Sequence, residues 1–539
     1  TGVRCGSTDT GACVFGSVIC SGGTLDCGGA LLEPTTELCN GIDDDCDGTV
    51  DDSPAPPGAT PASCVEDRGV CAGRTPTCEG ASGWQCSLPA TYQPTETICD
   101  GLNNDCDGAT DEGCLSPLPG ADRRVDLGTT AGSQNSVQVR MSGDDGSRVY
   151  ATWMETPSDA GQVFFNRSVD SGDSWGASST RLDDASGPAI GPRFANVGGG
   201  ATVNVHWADF RGGTSYREMY RDRSTDFGAT FPNASGRLNA GMNIDAFNVE
   251  TAVSGSNVYV VYEAFTSERS RHVFFLRSTN GGASFGAPLQ LDHGSGTSFV
   301  ASAPQIAASG SEVHVVWRDN RNGALDIFHV RSTDSGATWS ASDTRLDGGT
   351  AGAASSFSPV VAAESGNVYV AWIDDRNGSS FDIFFNRSTD SGASWGAATR
   401  IDDDPLPHDS TGVRIAVTGA SRLVVAWVDF RFGFADIIAR FSDTAGGSFE
   451  SAQRLDTGTA PGTSTSFDLA IASGGDLVGA AWADDRAGFL DVHANYSLDG
   501  GRTWQPADPR LDSTAAGSSD SERPHVYVGG GAVHVGWID

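Results

Sequence analysis

The sequence predicts an all-β fold, a stack of repeated four-stranded sheets preceded by a small disulfide-rich region. Three observations predict it. Short runs rich in Val, Ile, Phe, Tyr and Trp alternate apolar and polar residues, as in "NVYVAWID" from Asn367, and no helical period is sustained. A four-strand pattern returns roughly every 55 residues from about Arg124 onward. All 13 Cys lie between Cys5 and Cys114, which marks a boundary between two kinds of structure.

The Cys-rich region reads as two copies of one unit, residues 1–55 and 56–120. Cys5, Cys13, Cys20, Cys27, Cys39 and Cys46 match Cys64, Cys71, Cys78, Cys86, Cys99 and Cys106, and Cys114 is left over. Six per copy allows three bridges in each, with the connectivity open. A "DDSPAPPGATPAS" linker joins the copies.

Each copy ends in a carboxylate-rich loop, "CNGIDDDCDGTVDD" and "CDGLNNDCDGATDEGC". The first offers Asp43, Asp45, Asp47 and Asp51, the second Asn103, Asp105, Asp107 and Asp111. Alternate oxygen ligands around a Gly turn suit a hard cation, and Ca²⁺ is the expected one. Neither loop has the Glu that completes an EF-hand. Cys46 and Cys106 lie inside the loops, where disulfides are expected over thiolate ligands. The loops, over Cys39–Asp52 and Cys99–Glu112, resemble the "CNGxDDDCDGxxDE" metal-binding motif of secreted bacterial proteins.

The remaining residues, 121–539, carry the repeat. Its clearest element is a turn such as "RSTDSGATWS" at Arg331 or "RSTDSGASWG" at Arg387. Further copies start at Arg167, Arg223, Arg277 and Tyr496, and a degenerate one at Phe441 is expected to be distorted. Four short strands per unit, apolar on two faces, cannot bury themselves singly; radial stacking lets each sheet cover the next. These turns resemble the Asp-box of the sialidase (BNR) superfamily of β-propellers. The resemblance implies that Asp170, Asp226, Asn280, Asp334, Asp390 and Asp499 hold the hairpin between third and fourth strands, on the face opposite an active site.

Strand counting gives seven complete units, plus a first and second strand at "ERPHVYVG" and "AVHVGWID", plus a fourth strand at "RRVDLG". That is one strand short of eight blades. Eight blades fit best, and seven with two spare strands is the alternative. The vacant third-strand position invites a longer chain, a segment of the Cys-rich region, or a strand from another copy.

The link from second to third strand repeats Trp-x-Asp-x-Arg. The pairs are Asp209 and Arg211, Asp319 and Arg321, Asp374 and Arg376, Asp429 and Arg431, and Asp484 and Arg486. Two readings apply. Arg and Asp lock the turns by bidentate pairing. Alternatively the face binds Ca²⁺ or polyhydroxylated sugars, with Phe210, Phe430 and Phe432 as platforms. As an enzyme the chain would be a sialidase-type glycosidase. The arginine triad, Tyr–Glu pair and Asp acid that such a resemblance implies are not matched: the Arg-Ile-Pro motif is absent, and Tyr262-Glu263 are neighbours on one strand, facing opposite ways. No catalytic residue is assigned.

Acidic residues number 69 against 34 basic ones, giving a net charge of −35. Such a surface argues against nucleic acid or anionic membrane as partner, and no run reaches the length of a membrane span. Thr1 in place of Met fits removal of a secretory signal. The expected protein is secreted or cell-surface, bacterial and non-catalytic, binding glycans or proteins or self-assembling through its incomplete blade.

Overall fold

In a computed structural model of the chain, the alternating runs fold as antiparallel meanders. The structure describes residues 3–54 apart from 7, 23 and 29–31; residues 69–72, 76–89, 92 and 103–106; and residues 122–539 apart from 128–134, 145–146, 157–160, 184–188, 198–200, 211–215, 233–234, 241, 243, 267–269, 295–298, 379 and 405. The chain divides into two units, Thr1–Ser116 and Pro117–Asp539. No α-helix occurs among the described residues.

Among its described residues the larger unit holds eight antiparallel sheets in chain order, six with four strands, a seventh with three and an eighth with two. The fifth is representative: Ser356–Glu364, Asn367–Asp374, Asp382–Ser388 and Thr399–Arg400. Asn367–Asp374 is buried along nearly its whole length on both faces, because sheets pack on either side. Tyr369, Phe385 and Ile401 of the fifth sheet share one apolar cluster with Leu423, Val425 and Trp427 of the sixth. Across the first, third, fourth and fifth sheets a second-strand ring meets a third-strand Phe: Trp153 and Phe164 lie 6.1 Å apart, Tyr262 and Phe274 5.6 Å, Trp317 and Phe328 6.3 Å, Trp372 and Phe384 6.2 Å. Tyr262 thus fills the position Trp takes elsewhere, fully buried.

The seventh sheet departs from the expected four strands. Where its fourth should run, only a bridge between His493 and Arg510 remains. Pro506 and Pro509 flank that segment and supply no N–H for a ladder.

Every first strand carries a β-bulge that the sequence pattern did not reveal. In six of the eight the bulge residue is a non-glycine at positive φ: Gln138, Asn248, Ala303, Ser358, Asp468 and Arg523; Gly191 and Gly412 complete the set. A bulge bends and twists the strand locally. First strands of successive sheets lie against one another. The first strand of the eighth sheet, Glu522–Gly529, also lies against that of the first sheet, Ser136–Gly143. There the Tyr527 hydroxyl donates to the Asp144 carbonyl at 2.8 Å, and the Met141 N–H donates to His525 Nδ1 at 3.1 Å. Asn166 of the first sheet donates to the Val125 carbonyl, just as Asn386 donates to Leu346 and Asn495 to Leu455 of the sheet before each. Val125 therefore stands where the preceding sheet's fourth strand stands elsewhere.

In the smaller unit, Arg4–Cys5, Gly16–Ser21 and Thr24–Gly28 form one sheet, and Thr77–Cys78 pairs with Trp84–Gln85. Disulfides join Cys5 to Cys27, Cys13 to Cys46, Cys39 to Cys78 and Cys71 to Cys106. The expectation of three bridges confined to each copy is corrected by Cys39–Cys78, which crosses from the first copy to the second. The physical reason is packing: the Gly41 backbone rests against Ala81 so closely that a Cβ there would stand 2.8 Å from the Ala81 nitrogen. Cys20, the first-copy counterpart of Cys78, is consequently free and exposed. Cys64, Cys99 and Cys114 lie outside the described residues.

Candidate functional site

The first acidic loop folds around its own carboxylates. Asp43 Oδ2 accepts the Gly48 N–H at 3.1 Å, Asp45 Oδ1 the Asp47 N–H at 3.1 Å, and Asp47 Oδ1 the Thr49 N–H at 2.8 Å. Cys46, at positive φ, is pinned by its disulfide to Cys13, so its sulfur is no thiolate. Gly11 packs so tightly on Asp43 that any Cβ would overlap the carboxylate. Asp51 turns away and accepts the Asn40 and Gly41 N–H groups.

Glu37 enters this loop although the spacing gave no reason to choose it. Its Oε1 accepts the Asp45 N–H at 2.7 Å, and oxygens of Glu37, Asp43 and Asp45 lie within 4.8 Å of one another. Glu37 and Asp43 are only 3% and 4% exposed, and Glu37 Oε2 and Asp43 Oδ1 are buried without a hydrogen-bond partner. Anionic oxygens withheld from water and left unpaired are costly unless a cation satisfies them. The donor set is all oxygen, as hard divalent ions prefer. Asp45, Asp47 and Asp52 form a second, more exposed group.

The second loop repeats part of this: Asn103, the counterpart of Asp43, is buried and its Oδ1 also lacks a partner. Asp105 is described; Asp107 and Asp111 lie outside the described residues. The counterpart of Glu37 is Thr97, so the second loop carries less charge.

In the larger unit the Trp-x-Asp-x-Arg links form a lattice. Asp319, Asp374, Asp429 and Asp484 are completely buried. Each takes a two-pronged contact from the Arg two residues on: Arg321 at 2.9 and 2.6 Å, Arg431 at 2.8 and 2.7 Å, Arg486 at 2.8 and 2.8 Å, and Arg376 likewise. Trp317, Trp372 and Trp427 donate their indole N–H to the same carboxylates. Asp209 is buried and accepts from Trp207; Arg211 lies outside the described residues. The Arg at the fourth-strand position, or at the bridge that replaces it in the seventh sheet, forms a second tier that sequence reading missed: Arg345 reaches Asp326 and Asp347, Arg454 reaches Asp436 and Asp456, Arg510 reaches Asp491 and Asp512.

Two buried carboxylates sharing one guanidinium cannot both ionise freely. Burial, then the adjoining Asp326, pushes Asp347 up to about 7, and burial pushes Asp456 to about 7 and Asp402 to about 6. A folded-state value above the ordinary 3.8 means the folded chain holds more protons between the two, so stability falls as pH rises through that window. Buried His206, His314 and His525, lowered by burial, act in the opposite direction over this range, so the carboxylates are read by difference: in thermal melts of the larger unit the parent is expected to lose stability relative to a triple Asp347→Asn, Asp402→Asn, Asp456→Asn variant as pH rises from about 4 to about 7. A difference between the two that stays constant over that range would refute the shared-proton arrangement.

The hairpin turns close in one pattern. Asp390 Oδ1 accepts the Ser394 N–H at 2.8 Å and the Ser388 hydroxyl at 2.7 Å, and Gly392 N–H donates to Ser388 Oγ. Asp334, Asp226, Asp170 and Asp499 repeat it, and Asn280 Oδ1 accepts the Ser284 N–H at 2.9 Å. Hydrogen bonds from Ser174 and Ser168 hold the Asp170 carboxyl down at about 2, and those from Ser224 and Thr230 do the same at Asp226. The degenerate turn is not distorted, contrary to expectation: Thr444 Oγ1 takes the acceptor role for Ser448 N–H at 2.8 Å, and Asp443 pairs with Arg502 instead. The turn glycines are dictated by packing, since a Cβ on Gly446 would meet the Phe385 ring of the preceding sheet at 2.6 Å.

Glu263 is fully buried against Arg271 and Asn248, while Tyr262 faces the core on the opposite side of the strand. Of the candidate platforms, Phe430 packs on the core, Phe210 lies beside Arg217, and Phe432 is exposed.

The family described as "Putative metal-binding motif" (Cu-binding_MopE) matches residues 34–52 and 92–112. No curated protein matches the chain. Among solved structures, a polysaccharide lyase of the ulvan lyase type is similar at 11% identity, covering 69% of this chain and 97% of that one, with a TM-score of 0.45. The NanB sialidase from Streptococcus pneumoniae is similar at 12% identity, 68% of each chain and a TM-score of 0.37. An α-L-arabinanase from Penicillium chrysogenum is similar at 15% identity, 57% and 94% coverage and a TM-score of 0.35.

Proposed function

We propose that the chain is a secreted, non-catalytic glycan-binding protein, built as an eight-bladed β-propeller that follows, in chain order, a disulfide-bonded unit that holds Ca²⁺. The single observation that carries the binding reading is a row of exposed aromatics on the second-to-third-strand links. Phe432, Phe434 and Phe489 are 49%, 57% and 55% exposed, and Phe381 37%. The Asp and Arg of the same links are consumed by one another, so the groups left facing water are rings, and rings stack on the apolar faces of sugars. Aromatics held on turns this heavily cross-braced gain nothing for folding by exposure.

Closure into eight blades is supported by the Tyr527, His525 and Val125 contacts between the last and first sheets. Among the described residues the eighth sheet ends at Ala532–Ile538. A strand added to that edge, by the chain's own continuation or by another copy, would complete it.

Affinity electrophoresis against a panel of neutral and acidic polysaccharides tests the function. Retardation by at least one polymer is expected, with each of Phe432→Ala, Phe434→Ala and Phe489→Ala weakening it at least fivefold and a combined variant abolishing it. No retardation by any polymer, together with turnover of one of them, would replace this reading with a glycosidase or lyase.

A further inference from the structure

The first strands bring together a cluster of cationic groups in a chain of overwhelming negative charge. Arg140, Arg193, Arg414 and His525 each occupy the first paired position past the bulge, opposite Thr152, His206, Ala426 and Gly536. Glu250 occupies that position on the third sheet and takes a two-pronged contact from Arg193 at 3.1 and 2.9 Å. That neutralises Arg193. Arg140 and Arg414 have no carboxylate within ion-pair distance among the described residues; each donates only to the carbonyl of its own preceding residue, at 2.8 and 2.9 Å. Asp468 and Glu250, whose charges act favourably on Arg414 from a distance, make no ion pair with it.

His525 adds a directed donor. Its Nδ1 accepts the Met141 N–H, so in the neutral ring the proton sits on Nε2. Burial, then Arg140, Arg193 and Arg414, pushes its pKa down to about 3, so it contributes an N–H and no charge at neutral pH. Burial, then Arg193, likewise lowers Arg140 to about 10. Arg414 is exposed to solvent, and Arg140, Arg193 and His525 are half-buried. First strands lie against one another from sheet to sheet, so in a closed ring the same position on each of them faces one axial passage. Two unpaired guanidinium forks facing one passage repel each other, and an oxyanion between them relieves the repulsion while filling both forks. The positions are mid-strand, away from the aromatic links, and none of these Arg begins an Arg-Ile-Pro sequence.

We propose that Arg140, Arg414 and His525 form a site for an oxyanion at mid-height of the axial passage, binding sulfate either as the free ion or as the ester group of a sulfated saccharide. The proposal rests on the closed-ring reading, since the three residues come from the first, sixth and eighth sheets.

Calorimetric titration of the full chain with sodium sulfate, against sodium chloride at matched ionic strength, tests it. Saturable sulfate binding is expected, weakened at least tenfold in Arg140→Gln and in Arg414→Gln and partly restored in Arg140→Lys. Competition by a sulfated disaccharide identifies the ester as a source; its failure to compete identifies the free ion, and both outcomes uphold the site. No saturable binding, or equal affinity in parent and both Gln variants, overturns it. A density map of the sulfate-equilibrated protein separates the two readings and stands even if a variant fails to fold. A closed ring with density between Arg140 and Arg414 supports both, a closed ring without it removes the site alone, and an open arrangement removes both.

Discussion

Glu37→Gln is expected to abolish the calcium-dependent rise in melting temperature of the N-terminal unit and, in chelator, to raise that temperature. The two signs have one cause. Without a cation, Glu37 and Asp43 hold buried oxygens with no partner beside Asp45, so removing one charge relieves repulsion. With a cation, the same oxygens are ligands, and losing one removes affinity. A ligand present at about 100 times its Kd stabilises the folded state by about 2.7 kcal/mol. For a unit of this size that is a shift on the order of 10 °C. Asp43→Asn should behave in the same way, whereas Asp51→Asn, whose carboxylate caps Asn40 and Gly41, should destabilise equally with and without the ion. Calorimetry in Ca²⁺, in Cu²⁺ and in chelator, with disulfides intact, checks this. Identical melting in all three would remove the loop as a metal site, and a rise confined to Cu²⁺ would replace the calcium assignment.

Arg376→Ala should cost the larger unit about 3–5 kcal/mol, because it leaves a buried carboxylate without its counter-charge. Asp374 is fully buried and takes the Arg376 backbone and side-chain N–H groups, the Trp372 indole and the Ser356 hydroxyl. Arg376 also stacks 4.1 Å over the Phe384 ring, so its loss uncovers apolar surface as well. A second change, Asp374→Asn, should recover much of the loss by removing the stranded charge while keeping an acceptor for Trp372. Denaturant melts of the parent, both single variants and the double variant give the coupling directly. Additive effects would show that the pair does not act as a lock. If Arg376→Ala instead left stability untouched and weakened polysaccharide binding, the link Arg would belong to the binding surface rather than to the frame.

Much of the larger unit was legible because its signal is local and repeated. Alternation marks the strands, and the Ser, Asp and Gly of each turn announce a hairpin whose hydrogen bonds close within a few residues. The acidic loops were legible for the same reason. Glu37 was not, because its contact to Asp45 depends on how the preceding segment folds back over the loop. Cys39–Cys78 escaped because copy-by-copy matching cannot register that the copies pack on each other. The bulges left no trace, since six of the eight positions use ordinary residues at positive φ that only the bend of the strand requires.

By itself the sequence determined the all-β character, the turn chemistry and the oxygen-rich loops, because each is written in residues that lie side by side in the chain. Only the tertiary structure decided which carboxylates lose their water and which arginines find a partner. Those outcomes depend on groups from distant segments meeting in space, where burial and unpaired charge, rather than local pattern, set the energy.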